Sequence, residues 1–205
     1  MKIVVFGATG RTGSEIVRHA LADGHEVTVF VRSPEKCEAQ ENLTIIKGDV
    51  RDSTAVKNAL MGAEAVVSAL GTDKTTTLTE AIPAIIEGMQ EHRILRIVTI
   101  GTAGILESRT EPSKLRYQSN ESHRKLTFAA EEHHKVFTML QNSGLDWTIV
   151  CPTYLPDGEA LGTYRTERDY LPIDGAKIST GDTAAFAYDE LCKGEEIGYR
   201  VGISY

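Results

Sequence analysis

Short apolar runs alternate along this chain with longer stretches whose apolar residues recur every three or four positions. The runs are KIVVFG, EVTVFVR, LTIIKGDV, AEAVVSALG, RILRIVTIG and DWTIVCP. They are rich in Val, Ile and Thr without clean polar alternation, as expected of strands buried on both faces of a parallel sheet. Between them, TGSEIVRHALADG, DSTAVKNALMG, the stretch around Ala81–His92 and Ser122–Ser143 carry helical periodicity. Gly24, Gly62 and Gly144 follow three of these at places suited to left-handed C-caps. A last helix over Asp182–Lys193 and a short strand near Tyr199–Ile203 close the chain. Strands alternating with helices predict right-handed crossovers and an α/β class with one doubly wound parallel sheet. The whole of 1–205 reads as a single domain. Irregular segments near 103–120 and 152–179 read as substrate-side loops, the second carrying into a small C-terminal segment.

The first strand runs into GATGRTG and then into a helix. Gly7 permits a sharp exit from the strand, Gly10 lets the backbone approach a pyrophosphate, and Gly13 allows close helix–strand packing. The helix N-terminus offers N–H groups and a positive dipole end to phosphates. Thr9 and Thr12 widen the loop by one residue relative to G-x-G-x-x-G without removing these features, so a Rossmann-like dinucleotide site is expected. At the end of the second strand, where NAD-preferring folds place an acid, stand Arg32 and Ser33. A guanidinium suits the extra phosphate of NADP, so NADP(H) is favoured over NAD(H). Arg11 is expected near the same end of the ligand. Asp49 and Val50 end the third strand, Leu70, Gly71 and Thr72 the fourth, and Thr102 follows the fifth, all along one crevice.

Twenty-nine acidic residues against 22 basic ones give a net charge of −7, which argues against nucleic acid or an anionic membrane as the main partner. Cys37, Cys151 and Cys192 are scattered, without metal-ligand spacing, and suit a reducing compartment. No window approaches the ~20 apolar residues of a membrane span, and Ile3–Phe6 is too short for a signal peptide. A cytoplasmic protein, monomeric or weakly dimeric, is expected.

Together GATGRTG, VFVRSP, KGDV, SALGT and SGLDWTIVCP resemble the atypical short-chain dehydrogenase/reductases, and among them the biliverdin-IXβ reductases, which also reduce flavins. The resemblance implies that Gly10 to Thr12 and Arg32 hold the NADP phosphates, with Asp49 near the adenine. It also implies a hydroxyl residue near the nicotinamide, and Thr102 stands there in place of serine. Tyr154 falls where those relatives carry histidine. These departures point away from biliverdin itself. The Tyr-x-x-x-Lys pair of the typical enzymes is missing. Its tyrosine place is Ala129 and its lysine place His133, while Tyr117 lies far upstream with no lysine at the right interval.

His133 and His134 are adjacent, so on a helix they point about 100° apart and make a poor metal pair; no metal site is expected. His133 is a candidate neighbour of the substrate pocket. Arg109, Lys114, Arg116, Arg124 and Lys125 form a locally basic stretch, read either as a solvated loop and helix start or as a rim attracting an anionic substrate. Trp147 reads as strand packing. The leading expectation is an NADPH-dependent reductase of a flat conjugated acceptor of the flavin, tetrapyrrole or quinone class. Thr102, Tyr154 and His133 are its candidate catalytic residues. The alternative is a non-catalytic NADP(H)-binding redox sensor.

Overall fold

The computed structural model describes residues 1–72, 74–122 and 126–205. Six runs of the sequence form parallel strands: β1 (Lys2–Phe6), β2 (Glu26–Val31), β3 (Leu43–Lys47), β4 (Ala65–Ser68), β5 (Arg96–Ile100) and β6 (Asp146–Pro152). Two more follow, β7 (Arg165–Arg168), which is antiparallel, and β8 (Tyr199–Ser204), which is parallel to β6. The sheet order is β3-β2-β1-β4-β5-β6-β8-β7, reversing direction of growth between β1 and β4, as in a doubly wound Rossmann-like fold.

Helices cover both faces. On one side α1 (Arg11–Ala22) and α5 (Thr180–Lys193) bury Ile16, Ala20, Ala184 and Leu191 against Val5, Val29, Val98 and Val150. On the other, α2 (Ser53–Ala59), α3 (Thr77–Glu91) and α4 (Phe128–Gln141) bury Val56, Ile85, Met89 and Leu140 against Phe6, Val66, Ile97 and Ile149. Both faces of the central strands are thus covered, which is why those runs carry no polar alternation. Trp147 is packed in the core edge-on to Phe137, as expected of a strand residue. No helix among the described residues is long and apolar enough to cross a membrane.

Two expectations need correction. Within the segment read as irregular, RTER forms β7, antiparallel to β8 from Arg165↔Ser204 to Arg168↔Val201. Its four polar residues give no apolar signal, and such charge is what an edge strand tolerates. Helix α4 also starts later than Ser122. Glu121 is drawn into the preceding loop, where its carboxylate accepts from the Ser108 hydroxyl and the Thr110 N–H and pairs with Arg116, so the backbone there follows the loop.

Candidate active site

The parallel strands deliver their carboxyl ends to one edge of the sheet, where ligands of open α/β folds bind. There β1 passes through Gly7 into α1. Gly7 has φ +83°, and a Cβ on it would lie 2.5 Å from the Ala69 carbonyl oxygen beyond β4. A Cβ on Gly13 would meet the Gly7 carbonyl oxygen at 2.2 Å. Only glycine at both positions lets the first turn of α1 sit this close to the strand ends. Gly10 is the N-cap and supplies no side-chain acceptor, which leaves first-turn N–H groups and the positive end of the helix for an anionic ligand.

A cleft of about 270 Å³ opens beside this loop, and Gly7, Thr9, Gly10, Arg32, Asp49, Val50, Leu70 and Gly71 line it. Phe30, Val31, Gly48, Arg51, Ala69 and Thr77, which sequence reasoning missed, complete its walls. Arg51 is fixed there by Glu80 at 2.5 Å and by the Thr77 hydroxyl at 2.9 Å. The glycine cradle, the helix terminus and Arg32 on the wall fit a dinucleotide.

A second cleft, of about 160 Å³, opens at the ends of β5 and β6. Its walls are Thr102–Gly104 after β5, Arg116 and Tyr117 from a 3-10 turn, Ala129 and Ala130 of α4, and Pro152 and Thr153 at the end of β6. The Thr102 side chain accepts from the Gly104 N–H at 3.4 Å. The Tyr117 hydroxyl lies 3.0 Å from His134 Nδ1 and accepts from Gln118 Nε2 at 3.1 Å. Because β4 and β5 are paired neighbours, the two clefts open from adjacent strands of one edge.

The profile of the NAD(P)H-binding family matches residues 7–193. The chain belongs to this NAD(P)H-binding family. Similar proteins cover nearly all of it. The uncharacterised YwnB of Bacillus subtilis is 29% identical over 201 residues, 93% of this chain and 92% of its own. A Bacteroides thetaiotaomicron structure, proposed as an epimerase, is 30% identical, covering 100% of this chain and 96% of its own with a TM-score of 0.86. A Streptococcus pneumoniae structure, proposed as an NADH-flavin reductase, is 29% identical, with 100% and 99% covered and a TM-score of 0.85.

Within this NAD(P)H-binding chain some anticipated residues stand elsewhere. Arg11 turns away from Arg32: its guanidinium donates to Asp157 Oδ1 at 2.8 Å and to the Leu155 carbonyl at 3.2 Å, tying α1 to the segment after β6. Thr12 and Gly13 are buried under the loop, serving the helix rather than lining the cleft. Ser33 caps a 3-10 turn, and the Thr72 carbonyl accepts from the Thr75 N–H at 2.7 Å; neither lines the cleft.

In the second cleft Thr102 lines the wall, but Tyr154 does not. It lies one residue past the wall, 61% exposed, with its backbone bridged to Lys177. His133 is half-buried and off the cleft lining; burial lowers its pKa to about 4, against the opposing charge of Glu132. The helix turns the next ring instead, His134, toward Tyr117. The basic stretch does not form an anion-attracting rim among the described residues. Arg109 pairs with Glu167 and Lys114 with Glu111, each at 2.5 Å, and Arg116 pairs with Glu121. Arg124 and Lys125 lie outside the described residues. Cys151 is buried and its thiol is pushed up to about 12 by that burial, which makes it a packing group.

Proposed function

We propose that the chain is an NADPH-dependent reductase of a flat conjugated acceptor, with a flavin as the leading class. The observation that carries this reading is the pair of clefts on adjacent strands, one walled by the glycine loop and Arg32 and one walled by Thr102 and Tyr117. Binding both partners side by side converts their encounter into a reaction between held groups, the principal service a protein renders when a cofactor supplies the chemistry. Arg32 on the cleft wall supports NADPH over NADH. The acceptor cleft is partly apolar, through Ala103, Leu126, Ala130 and Pro152, which suits a flat ring system better than a sugar. The likeness to a protein proposed as an NADH-flavin reductase points the same way.

The test is NADPH oxidation followed across FMN, FAD, riboflavin, quinones and biliverdins. Steady turnover with at least one is expected. Tight NADPH binding with no turnover on any of them would replace this reading with that of a redox sensor.

A further inference from the structure

The cleft walled by Thr102 holds a hydrogen-bond chain whose direction is fixed from Leu115 through Gln118 to Tyr117. The Leu115 N–H donates to Gln118 Oε1 at 3.0 Å, so the other end of that amide, Nε2, is the end facing Tyr117. An amide nitrogen only donates, so the Tyr117 oxygen accepts from it. The phenol proton bridges the 3.0 Å to His134 Nδ1 when that ring carries its own proton on Nε2, the tautomer assigned to it here. Burial and the nearby Arg200 charge both lower the His134 pKa, in keeping with a neutral, accepting ring. The charged groups around the pair are Arg200 of β8, held by Glu107 and Asp169, and the Arg116–Glu121 pair on the cleft wall.

Resting on the reductase reading above, we infer that Tyr117 is the acid of the acceptor cleft, with Gln118 and His134 positioning its hydroxyl. Tyr117 lines the same cleft as Thr102, and a Cβ on Gly104 between them would lie 3.5 Å from Tyr117 Cβ and 3.6 Å from Thr102 Cγ2. Ala129 also lines this cleft and has no proton to give. In the proton step the Tyr117 hydroxyl turns from His134 Nδ1 toward the cleft, its O–H bond breaks, and a bond from that hydrogen to an anionic nitrogen or oxygen of the reduced acceptor forms. The electron pair of the broken bond stays on the phenolate, held by the Gln118 N–H. A proton from water, taken up at His134 Nδ1 and passed on, restores the phenol. The net uptake is one solvent proton per acceptor reduced.

The experiment compares the parent protein with Tyr117→Phe and His134→Asn. Circular dichroism and NADPH binding are measured first, and both are expected unchanged. ¹⁵N NMR of histidine-labelled protein is expected to show His134 protonated at Nε2, with an Nδ1 signal that moves on Tyr117→Phe. Turnover of the best acceptor should fall about 10²–10⁴-fold in Tyr117→Phe, the usual contribution of a general acid. His134→Asn should fall less and lose the parent's pH dependence. Turnover within threefold of the parent in Tyr117→Phe would overturn the assignment while leaving the reductase reading intact. A His134 protonated at Nδ1 in the parent would also overturn it. Absence of turnover in the parent itself would overturn both.

Discussion

Arg32 lies just past the end of β2 on the cleft proposed for the dinucleotide, and the proposed preference for NADPH rests on it. Arg32→Asp exchanges a cation for an anion where the 2′-phosphate is proposed to sit, and a charge-assisted hydrogen bond is worth about 1.5–3 kcal/mol. NADPH affinity should therefore drop roughly ten- to a hundredfold, with NADH much less affected. Parallel titrations of the two cofactors measure it, and equal losses would remove Arg32 from the phosphate site. His133 gives a different kind of expectation. Its pKa in the folded chain, about 4, lies below the ordinary 6.5 because burial disfavours the cation. Between those values the unfolded chain binds a proton that the folded chain does not, so stability falls as pH drops from 6.5 toward 4. The effect is on the order of 1–3 kcal/mol. Urea unfolding of the parent and His133→Gln at pH 7 and pH 4.5 should show a smaller acid loss in the variant.

Helix α5 does more than cover the sheet. Its first turn carries Asp182, fully buried, whose carboxylate accepts from the Leu161 and Gly162 N–H groups at 2.9 and 2.8 Å and from the Tyr205 hydroxyl at 2.7 Å. One carboxylate thus ties the segment after β6 and the C-terminal residue to the helix start, where the dipole favours a negative charge. Burial pushes its pKa up, but the Leu161 N–H, the Tyr205 hydroxyl, the Gly162 N–H and the Ser179 hydroxyl together hold it below the ordinary carboxylate value. The stability it confers is present above that ordinary value and is lost as pH falls through the lower, folded one. Asp182→Ala leaves two backbone donors without their acceptor and should cost roughly 3 kcal/mol, read from denaturant midpoints. A loss below half a kilocalorie would mean that the segment after β6 is held by its other contacts alone.

Cofactor binding should stabilise the whole fold, because the glycine loop joins β1 and α1 at the point where the strand order reverses. A ligand that binds only the folded chain stabilises it by about 2.7 kcal/mol at a hundred times its dissociation constant. For a chain of this size that raises the melting temperature roughly 5–10 °C. NADPH at that excess should produce such a shift in the parent. Gly10→Val, which puts a branched side chain where the phosphates would approach and against the Gly7 carbonyl 3.2 Å from its Cβ, should stay folded and show no shift. A normal shift in that variant would mean that the glycines serve only the turn.

The six parallel strands, the glycine loop and the cationic end of β2 were legible in the chain because each is a contiguous pattern: a buried run, a turn that needs glycine, or a side chain at a strand end. Most of the dinucleotide wall followed, since the strands of a doubly wound sheet bring their carboxyl ends to one edge. β7 was not legible, because a polar edge strand buries nothing and leaves no hydrophobic period. Nor was the partner of Arg11, since Asp157 stands far along the chain and meets it only when α1 and the segment after β6 are packed. The acceptor cleft was half legible. Thr102 could be placed from the end of β5, but Tyr117 lacked the spacing that would mark it, and His133 drew attention that belonged to His134. Adjacent residues on a helix face different ways, and which of them meets the loop depends on how α4 is rotated against the sheet. That rotation is set by Val136 and Leu140 packing into the core, a contact between distant parts of the chain that no local pattern records.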